Sequence, residues 1–257
     1  MSLKKKIINN ELTIGSWLSL GDESICEMML NVGFDWIVID MEHTAISVEK
    51  CINLIRIIEL GGCKAFVRVG ENNSLLIKRS LDAGAHGIVV PMVNSVDDAL
   101  SAVRSTYYPP IGKRGYGLAR AHNYGRNFDR YVNEANSEII LIVQIEHFQS
   151  VENLQSIISI DGIDGFIIGP YDLSGSLDCP GNWEDENLIK CLEDVQSVID
   201  KKIKTAGYHI INPGKKEIKS KIDQGYRFIA YSREMILMSQ KLHKEKNKIA
   251  QIKKISK

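Results

Sequence analysis

The feature that most restricts the fold of this chain is a rhythm: short apolar, β-branched runs alternate with longer amphipathic stretches, and the cycle repeats eight times. The predicted strands are Thr13–Leu20, Asp35–Met41, Ala65–Val69, Gly87–Pro91, Ile139–Glu146, Gly165–Gly169, Lys204–Tyr208 and Phe228–Tyr231. Most are too apolar to leave one face in water, as befits a parallel sheet covered on both sides. Between them, Val48–Leu60, Leu75–Ala83, Val96–Ser105, Val151–Ser159, Leu188–Asp200 and Glu217–Gln224 carry apolar residues at helical spacing with charges opposite. Repeated βα units of this kind close a parallel sheet, so the predicted fold is a (β/α)8 TIM barrel. The length of 257 residues agrees with the roughly 250 usual for that fold. With 44% hydrophobic residues the chain can bury one large core, and residues 1–257 are expected to form a single domain.

Charge and cysteine content narrow the function. Lys plus Arg and Asp plus Glu both number 32, so no excess charge draws the protein to nucleic acid or to a membrane surface, and a small-molecule partner is favoured. Cys26, Cys51, Cys63, Cys179 and Cys191 are scattered and never form a C-x-x-C pair, which argues against a disulfide framework or thiolate zinc site and fits a reducing cytoplasm. Met1 to Asn10 hold lysines without an apolar core, and no apolar run reaches the ~18 residues of a membrane span, so a soluble, unexported protein is expected. The lysine-rich segment from about Lys241 reads as a solvated helix and tail. Two stretches break the rhythm, Tyr107 to Asn136 and Leu173–Asp185; both are expected to be active-site loops following strand ends.

In a barrel enzyme, chemistry belongs at the carboxyl ends of the strands. Strand two ends in Asp40-Met41-Glu42-His43, strand three in Arg68, strand five in Gln144-Ile145-Glu146-His147, and strand six runs into Gly169-Pro170-Tyr171-Asp172. Glu146 and Asp172 end neighbouring strands, where two hard oxygen ligands can hold Mg²⁺ or Mn²⁺ and leave places for water and a bidentate 2-oxo acid. As alternatives, each acid can be a cap or an ion-pair partner, and Asp172 can open a helical turn. Arg68 can clamp a carboxylate or neutralise an enolate, or simply form a structural ion pair. His43 with Asp40 three residues earlier has the look of an oriented general base, against the alternative of a satisfied structural histidine. Glu42 and Gln144 can hold water or a ligand by hydrogen bonds. A Schiff-base route lacks its lysine, because Lys64 and Lys204 lie at strand starts. Nucleotide-binding glycine loops are missing from the sequence too.

These elements in this order resemble the HpcH/HpaI family of metal-dependent 4-hydroxy-2-oxo-acid aldolases, from about Gly15 to Leu237. The resemblance is carried by Gly33-Phe34-Asp35-Trp36 leading to Asp40-Met41-Glu42-His43, Leu81-Asp82-Ala83-Gly84-Ala85, and Pro91-Met92-Val93-Asn94. Further pieces are Tyr108-Pro109-Pro110 with Arg114-Gly115, Gln144-Ile145-Glu146, and Gly169-Pro170-Tyr171-Asp172-Leu173-Ser174. It implies a barrel of the phosphoenolpyruvate/pyruvate type in which Glu146 and Asp172 ligate the metal, the His43–Asp40 pair is the base and Arg68 steadies the enolate. It further implies that Gln144 and the main-chain N–H groups of Tyr171 and Asp172 bind pyruvate, and that Glu42 positions metal-bound water. Mg²⁺ or Mn²⁺ suits the oxygen donors, and Co²⁺ or Zn²⁺ can occupy the same site. Homo-oligomers are implied as well, commonly hexamers built as trimers of dimers with the last helix exchanged.

The sequence departs from the family in places. Tyr171 stands where alanine is common, Ser232-Arg233-Glu234 where a small residue and aspartate are common, and the shortened loop makes Arg120 a weak acceptor-site candidate. The expected reaction is reversible cleavage of a 4-hydroxy-2-oxo acid to pyruvate and an aldehyde, the aldehyde being unspecified. Two other readings stand beside it: a CoA-thioester lyase of citrate-lyase type, and a non-catalytic barrel that binds a 2-oxo acid.

Overall fold

The computed structural model describes residues 1–255. Eight parallel strands, β1 (Thr13–Leu18), β2 (Trp36–Asp40), β3 (Lys64–Arg68), β4 (Gly87–Val90), β5 (Ile140–Ile145), β6 (Gly165–Ile168), β7 (Thr205–Ile210) and β8 (Phe228–Arg233), pair in sequence order, and β8 closes on β1. The helices are α1 (Leu3–Ile8), α2 (Glu23–Leu30), α3 (Val48–Leu60), α4 (Ser74–Asp82), α5 (Val96–Thr106), α6 (Phe128–Glu138), α7 (Phe148–Glu152), α8 (Leu154–Ile158), α9 (Pro170–Ser176), α10 (Glu186–Ile199), α11 (Lys215–Asp223) and α12 (Glu234–Ile255). This is the (β/α)8 barrel that the alternation predicts. Among the described residues no helix is long and apolar enough to cross a membrane.

Alternate residues of each strand face the barrel axis. Trp36 and Val38, Phe66, Val89, Ile140 and Ile142, Ile167, Phe228 and Ala230 form the inner core, with Trp36 stacked on Phe228 at 3.9 Å between centroids. Bulky rings fit because glycine sits beside them on the next strand. A Cβ on Gly15 would lie 2.1 Å from the Trp36 ring, and one on Gly87 would lie 2.2 Å from Phe66. The second core lies between strands and helices, where α3 buries Leu54, Ile55 and Ile58.

Several elements differ from the sequence-based expectation. The short helix α1 carries three consecutive lysines and so shows no amphipathic signal, yet it closes the lower end of the barrel by burying Leu3 and Ile7 against the inner core. Lys4 is buried with it and pairs with Asp164 at 3.3 Å. Strand β1 stops at Leu18 rather than Leu20 because the N–H groups of Ser19 and Leu20 donate to the Glu234 carboxylate, at 2.6 and 2.5 Å, and not to a neighbouring strand.

The Tyr107 to Asn136 stretch is a correction. It follows a helix, α5, and leads into β5, so it lies at the amino-terminal face of the barrel, away from the mouth of this chain's own barrel. It is held there by buried Arg114, whose guanidinium donates to Asp82 at 2.7 Å and sits 4.6 Å from the Tyr108 ring centroid. Arg120 donates to the Ala83 carbonyl at 2.9 Å and pairs with Glu59, which takes it away from the acceptor site of this chain. The Leu173–Asp185 stretch, by contrast, does follow β6, and its first part is helical in α9.

Because Trp36 joins the stack to two neighbouring strands, its loss leaves a cavity that glycine neighbours cannot fill. Trp36→Ala is expected to lower the unfolding free energy by about 3–5 kcal/mol, read as a lower denaturant midpoint at unchanged m value.

Candidate active site

Above the aromatic layers the inward series of each strand continues into the mouth. Val38 is followed by Asp40, Phe66 by Arg68, and Ile142 by Gln144 and then Glu146; Gly15 and Gly207 are followed by Trp17 and His209. Strand register therefore sets which side chains meet. Asp40 and Arg68 are direct partners across β2 and β3. The guanidinium grips the carboxylate with two hydrogen bonds, Nε to Oδ1 at 3.0 Å and Nη2 to Oδ2 at 2.7 Å. At 0% and 4% exposure this is a buried pair, in which removing one partner strands the other's charge. Burial alone would raise the Asp40 carboxyl, but the hydrogen bonds and charge of Arg68, with the N–H groups of His43 and Glu42, outweigh it and hold the group below its ordinary value.

The expected Asp40–His43 side-chain pair is corrected by this geometry. Asp40 Oδ1 accepts the main-chain N–H of Glu42 at 3.1 Å and of His43 at 3.3 Å, so the carboxylate fixes the turn and holds Arg68. The His43 imidazole faces a different acid, with Nε2 3.6 Å from Glu42 Oε2, and its side chain is 55% exposed at the mouth. Arg68 Nη1 lies 3.0 Å from the same Glu42 oxygen, an ion pair whose angles fall outside hydrogen bonding.

Three carboxylates, those of Glu42, Glu146 and Asp172, repel one another at the mouth. Burial pushes Glu42 up to about 7; Arg68 opposes the push, and the charges of Asp40 and Asp172 add to it. Glu146 is likewise raised to about 7 by burial, with the negative charges of Glu42 and Asp172 adding, although it accepts hydrogen bonds from the Met92 N–H at 2.7 Å and from the Gln144 amide. Asp172 stands more exposed, in the first turn of α9. The first intrahelical bond there is from Leu173 N–H to the Gly169 carbonyl, which leaves the N–H groups of Tyr171 and Asp172 for a ligand. Gln144 Oε1 is buried with no hydrogen-bond partner.

These features fit a hard divalent cation. Desolvated carboxylates that repel one another, beside an unpartnered amide oxygen, are an all-oxygen donor set of the kind Mg²⁺ and Mn²⁺ accept. Among the described residues no group of three or more His, Cys, Asp or Glu side chains is arranged around one ion position. The fit therefore rests on Glu146 and Asp172 as a two-carboxylate set. Gly169 makes room for it, since a Cβ there would come within 3.0 Å of the Glu146 side chain and 3.2 Å of Gln144.

A cavity of about 90 Å³ is lined by Trp17, His43, Arg68, Gln144, Asp172 and Arg233. Past Tyr171, His209 and Ile211 it adjoins a space of about 300 Å³ flanked by Trp183 and Asn212. The largest cavity, about 530 Å³, lies at the opposite face beside Lys64, His86 and Arg120, so size does not locate the chemistry here. The structure thus brings His43, Arg68, Glu42, Gln144, Glu146, Tyr171 and Asp172 to one mouth. Sequence reasoning missed Trp17, His209 and Arg233. The first two were open to it, because counting in twos along β1 and β7 turns both inward, and their rings stack at 4.7 Å.

Fold and site define a barrel enzyme with carboxylate donors at the carboxyl ends of its strands. The chain belongs to the HpcH/HpaI aldolase/citrate lyase family, whose sequence profile matches residues 13–239, and it is a carbon–carbon lyase. It is 35% identical to 2-keto-3-deoxy-L-rhamnonate aldolase of Klebsiella pneumoniae, over 93% of this chain and 89% of the relative. It is 41% identical to 4-hydroxy-2-oxovalerate aldolase of Rhodococcus jostii over 70% of each chain. A crystal structure of a family member from Burkholderia cenocepacia superposes with a TM-score of 0.90 at 29% identity, covering 96% of this chain and 98% of the other.

Two outcomes follow from the crowded carboxylates. Gly169→Ala is expected to weaken Mn²⁺ binding by about 10- to 100-fold by displacing Glu146 and Gln144, measured by calorimetric titration. The Glu146 carboxyl rises from 4.5 unfolded to about 7 folded, so its stabilising contribution is complete below the unfolded value and is lost as pH rises through the folded one. Metal-free protein is expected to lose stability on the order of 3 kcal/mol from this group between about pH 4 and pH 8. Denaturant unfolding across that range checks it: Glu146→Gln or saturating Mg²⁺ should flatten the decline.

Proposed function

We propose that the protein is a metal-dependent aldolase that reversibly cleaves the C3–C4 bond of a 4-hydroxy-2-oxo acid, giving pyruvate and an aldehyde. The observation that carries this reading is the mutual charge repulsion of Glu42, Glu146 and Asp172 beside a buried, positioned Arg68, at the mouth where Arg68 and Asp172 line one small cavity. The names of the relatives agree with it.

Glu146 and Asp172 are the groups that would hold the cation, Mg²⁺ or Mn²⁺ by donor type with Co²⁺ or Zn²⁺ able to replace them, and the chemistry it would supply there is Lewis-acid polarisation of the 2-oxo acid. Gln144 and the N–H groups of Tyr171 and Asp172 bind the pyruvate half. His43, at the open side of the cavity, accepts the C4-hydroxyl proton, and Glu42 beside its Nε2 stabilises the imidazolium that results. Arg68 faces the negative charge that develops on the pyruvate half as the bond breaks. Asp40 fixes its guanidinium beforehand, so little reorganisation remains for the transition state.

In this reading the barrel is of the phosphoenolpyruvate/pyruvate type, a single catalytic domain working in the cytoplasm, where its five free cysteines stay reduced. It assembles as a homo-oligomer through α12, whose exposed Met238, Leu242, Ile249 and Ile252 form an apolar stripe.

Exchange of the pyruvate methyl protons in D₂O, followed by NMR, tests the proposal without knowledge of the aldehyde. Exchange is expected with Mg²⁺ or Mn²⁺ and should cease on chelation. His43→Ala should keep Mn²⁺ binding and lose aldol turnover by about 10²- to 10⁴-fold, whereas Glu146→Ala should lose both. Full turnover in chelated protein would refute the assignment.

A further inference from the structure

Strand β8 ends irregularly, and the irregularity decides what enters the mouth. Its inward residues are Phe228 and Ala230, so strict alternation would next turn Ser232 inward and Arg233 outward. Instead the register against β1 slips. Gly15 pairs with Ala230 and Trp17 with Arg233, so β8 advances one residue more than β1 between the two pairs. Ser232 absorbs the extra residue at φ 56°, in the left-handed region that a serine occupies only where its surroundings hold it.

Those surroundings are well defined. The Ser232 hydroxyl donates to the Ile211 carbonyl at 2.7 Å, while its own carbonyl accepts from the Ser16 hydroxyl at 3.3 Å and lies 3.1 Å from His209 Nε2. The residue is fully buried. A bulge of this kind re-aims a side chain, and here it places Arg233 in the cavity with His43, Arg68 and Asp172.

Among the described residues the Arg233 side chain makes no hydrogen bond or ion pair, and Asp40, Glu234 and Asp172 act on it only through their charge. Arg68, the other guanidinium of the cavity, is taken by Asp40 and Glu42. The adjacent Glu234 carboxylate accepts from the N–H groups of Ser19 and Leu20. Arg233 Nε is buried without a hydrogen-bond partner, and the side chain forms no ion pair among the described residues. Its strand also lies away from the Glu146 side of the barrel, next to β7, whose His209 and the following Ile211 border the wider space beyond the cavity. That is the side left for the aldehyde once pyruvate lies near Gln144 and Asp172.

We propose that Arg233 is a specificity-determining residue that clamps a carboxylate on the aldehyde, so that the partner of pyruvate is a short aldehyde acid and not a neutral aldehyde; this rests on the aldolase reading above. A planar guanidinium offers its two Nη groups as parallel donors, the geometry that a carboxylate matches. The close walls of the 90 Å³ cavity suit that flat group better than a bulkier phosphate.

The experiment measures kcat/KM for condensation of pyruvate with 4-oxobutanoate, with its uncharged methyl ester and with glyceraldehyde 3-phosphate, in wild type, Arg233→Met and Arg233→Lys. Wild type is expected to favour 4-oxobutanoate over the ester by about 10- to 100-fold, the range of one charged hydrogen-bonded contact. Arg233→Met should bring that ratio close to unity through KM for the acid, and Arg233→Lys should retain part of it. Equal use of acid and ester by wild type, or an unchanged ratio in Arg233→Met, overturns the proposal, and so does a preference for the phosphate. If Arg233→Met does not fold, the wild-type ratio and Arg233→Lys decide. Pyruvate methyl exchange separates the two levels: exchange without an acid preference removes the clamp alone, whereas no exchange in metal-loaded wild type removes the aldolase reading and the clamp with it.

Discussion

The ion pair between Asp40 and Arg68 is the interaction on which the rest of the mouth depends. Two charges without water are costly, and their attraction offsets the cost only when hydrogen bonds satisfy the remaining atoms. Here they do: Asp40 accepts two bonds from the guanidinium and two from the turn that follows β2. The pair therefore fixes three things together, namely the path of the chain from Asp40 to His43, the direction of Glu42, and the plane of Arg68. Arg68 also lies 5.7 Å from the Trp17 ring centroid, so one guanidinium ties together β1, β2 and β3. Sequence proximity suggested that Asp40 serves His43. Strand register instead sets Asp40 opposite Arg68, and the guanidinium with the N–H groups of Glu42 and His43 takes up its carboxylate oxygens.

The mouth is electrostatically unbalanced by construction. Asp40, Glu42, Glu146 and Asp172 are acids and Arg68 and Arg233 are bases, a formal sum of minus two when all are ionised. Burial leaves little solvent to absorb that excess, which is why Glu42 and Glu146 hold protons up to about 7. A divalent cation cancels the sum. In the proposed reaction an anionic 2-oxo acid would then enter a neutral site, with Gln144 and the first turn of α9 as the local donors on one side and Arg233 on the other.

Much of this was legible in the sequence, and the rest failed for identifiable reasons. Fully buried strands announce themselves by continuous apolar runs, and the positions at their carboxyl ends followed from the barrel rule, which is how Arg68, Gln144, Glu146 and Asp172 could be named. Counting in twos would have added Trp17 and His209. Three features were not legible by these means. Helix α1 is too short for a periodic pattern, and its docking depends on the open lower end of a barrel that the rest of the chain builds. The segment around Arg114 looks like an active-site loop in composition, but its face of the barrel depends on whether a strand or a helix precedes it. The bulge at Ser232 replaces no residue by a glycine and so leaves no local signature; only the paired register of β1 and β8 exposes it.

That bulge and the conformation of Met92 have a common physical meaning. Met92, at φ 51°, gives its N–H to Glu146, and Ser232, at φ 56°, turns Arg233 inward. Both are non-glycine residues held in a costly backbone region, and each aims a charged group at the same cavity. Glu146 adds a further cost, since a desolvated carboxylate that repels its neighbours opposes folding of the metal-free chain. The aromatic layers below the site offset these terms: a rigid floor of Trp36, Phe66 and Phe228 keeps the strand ends from relaxing toward cheaper conformations. The aromatic floor beneath the mouth thus holds in place the two strained residues, Met92 and Ser232, that aim charged groups into it.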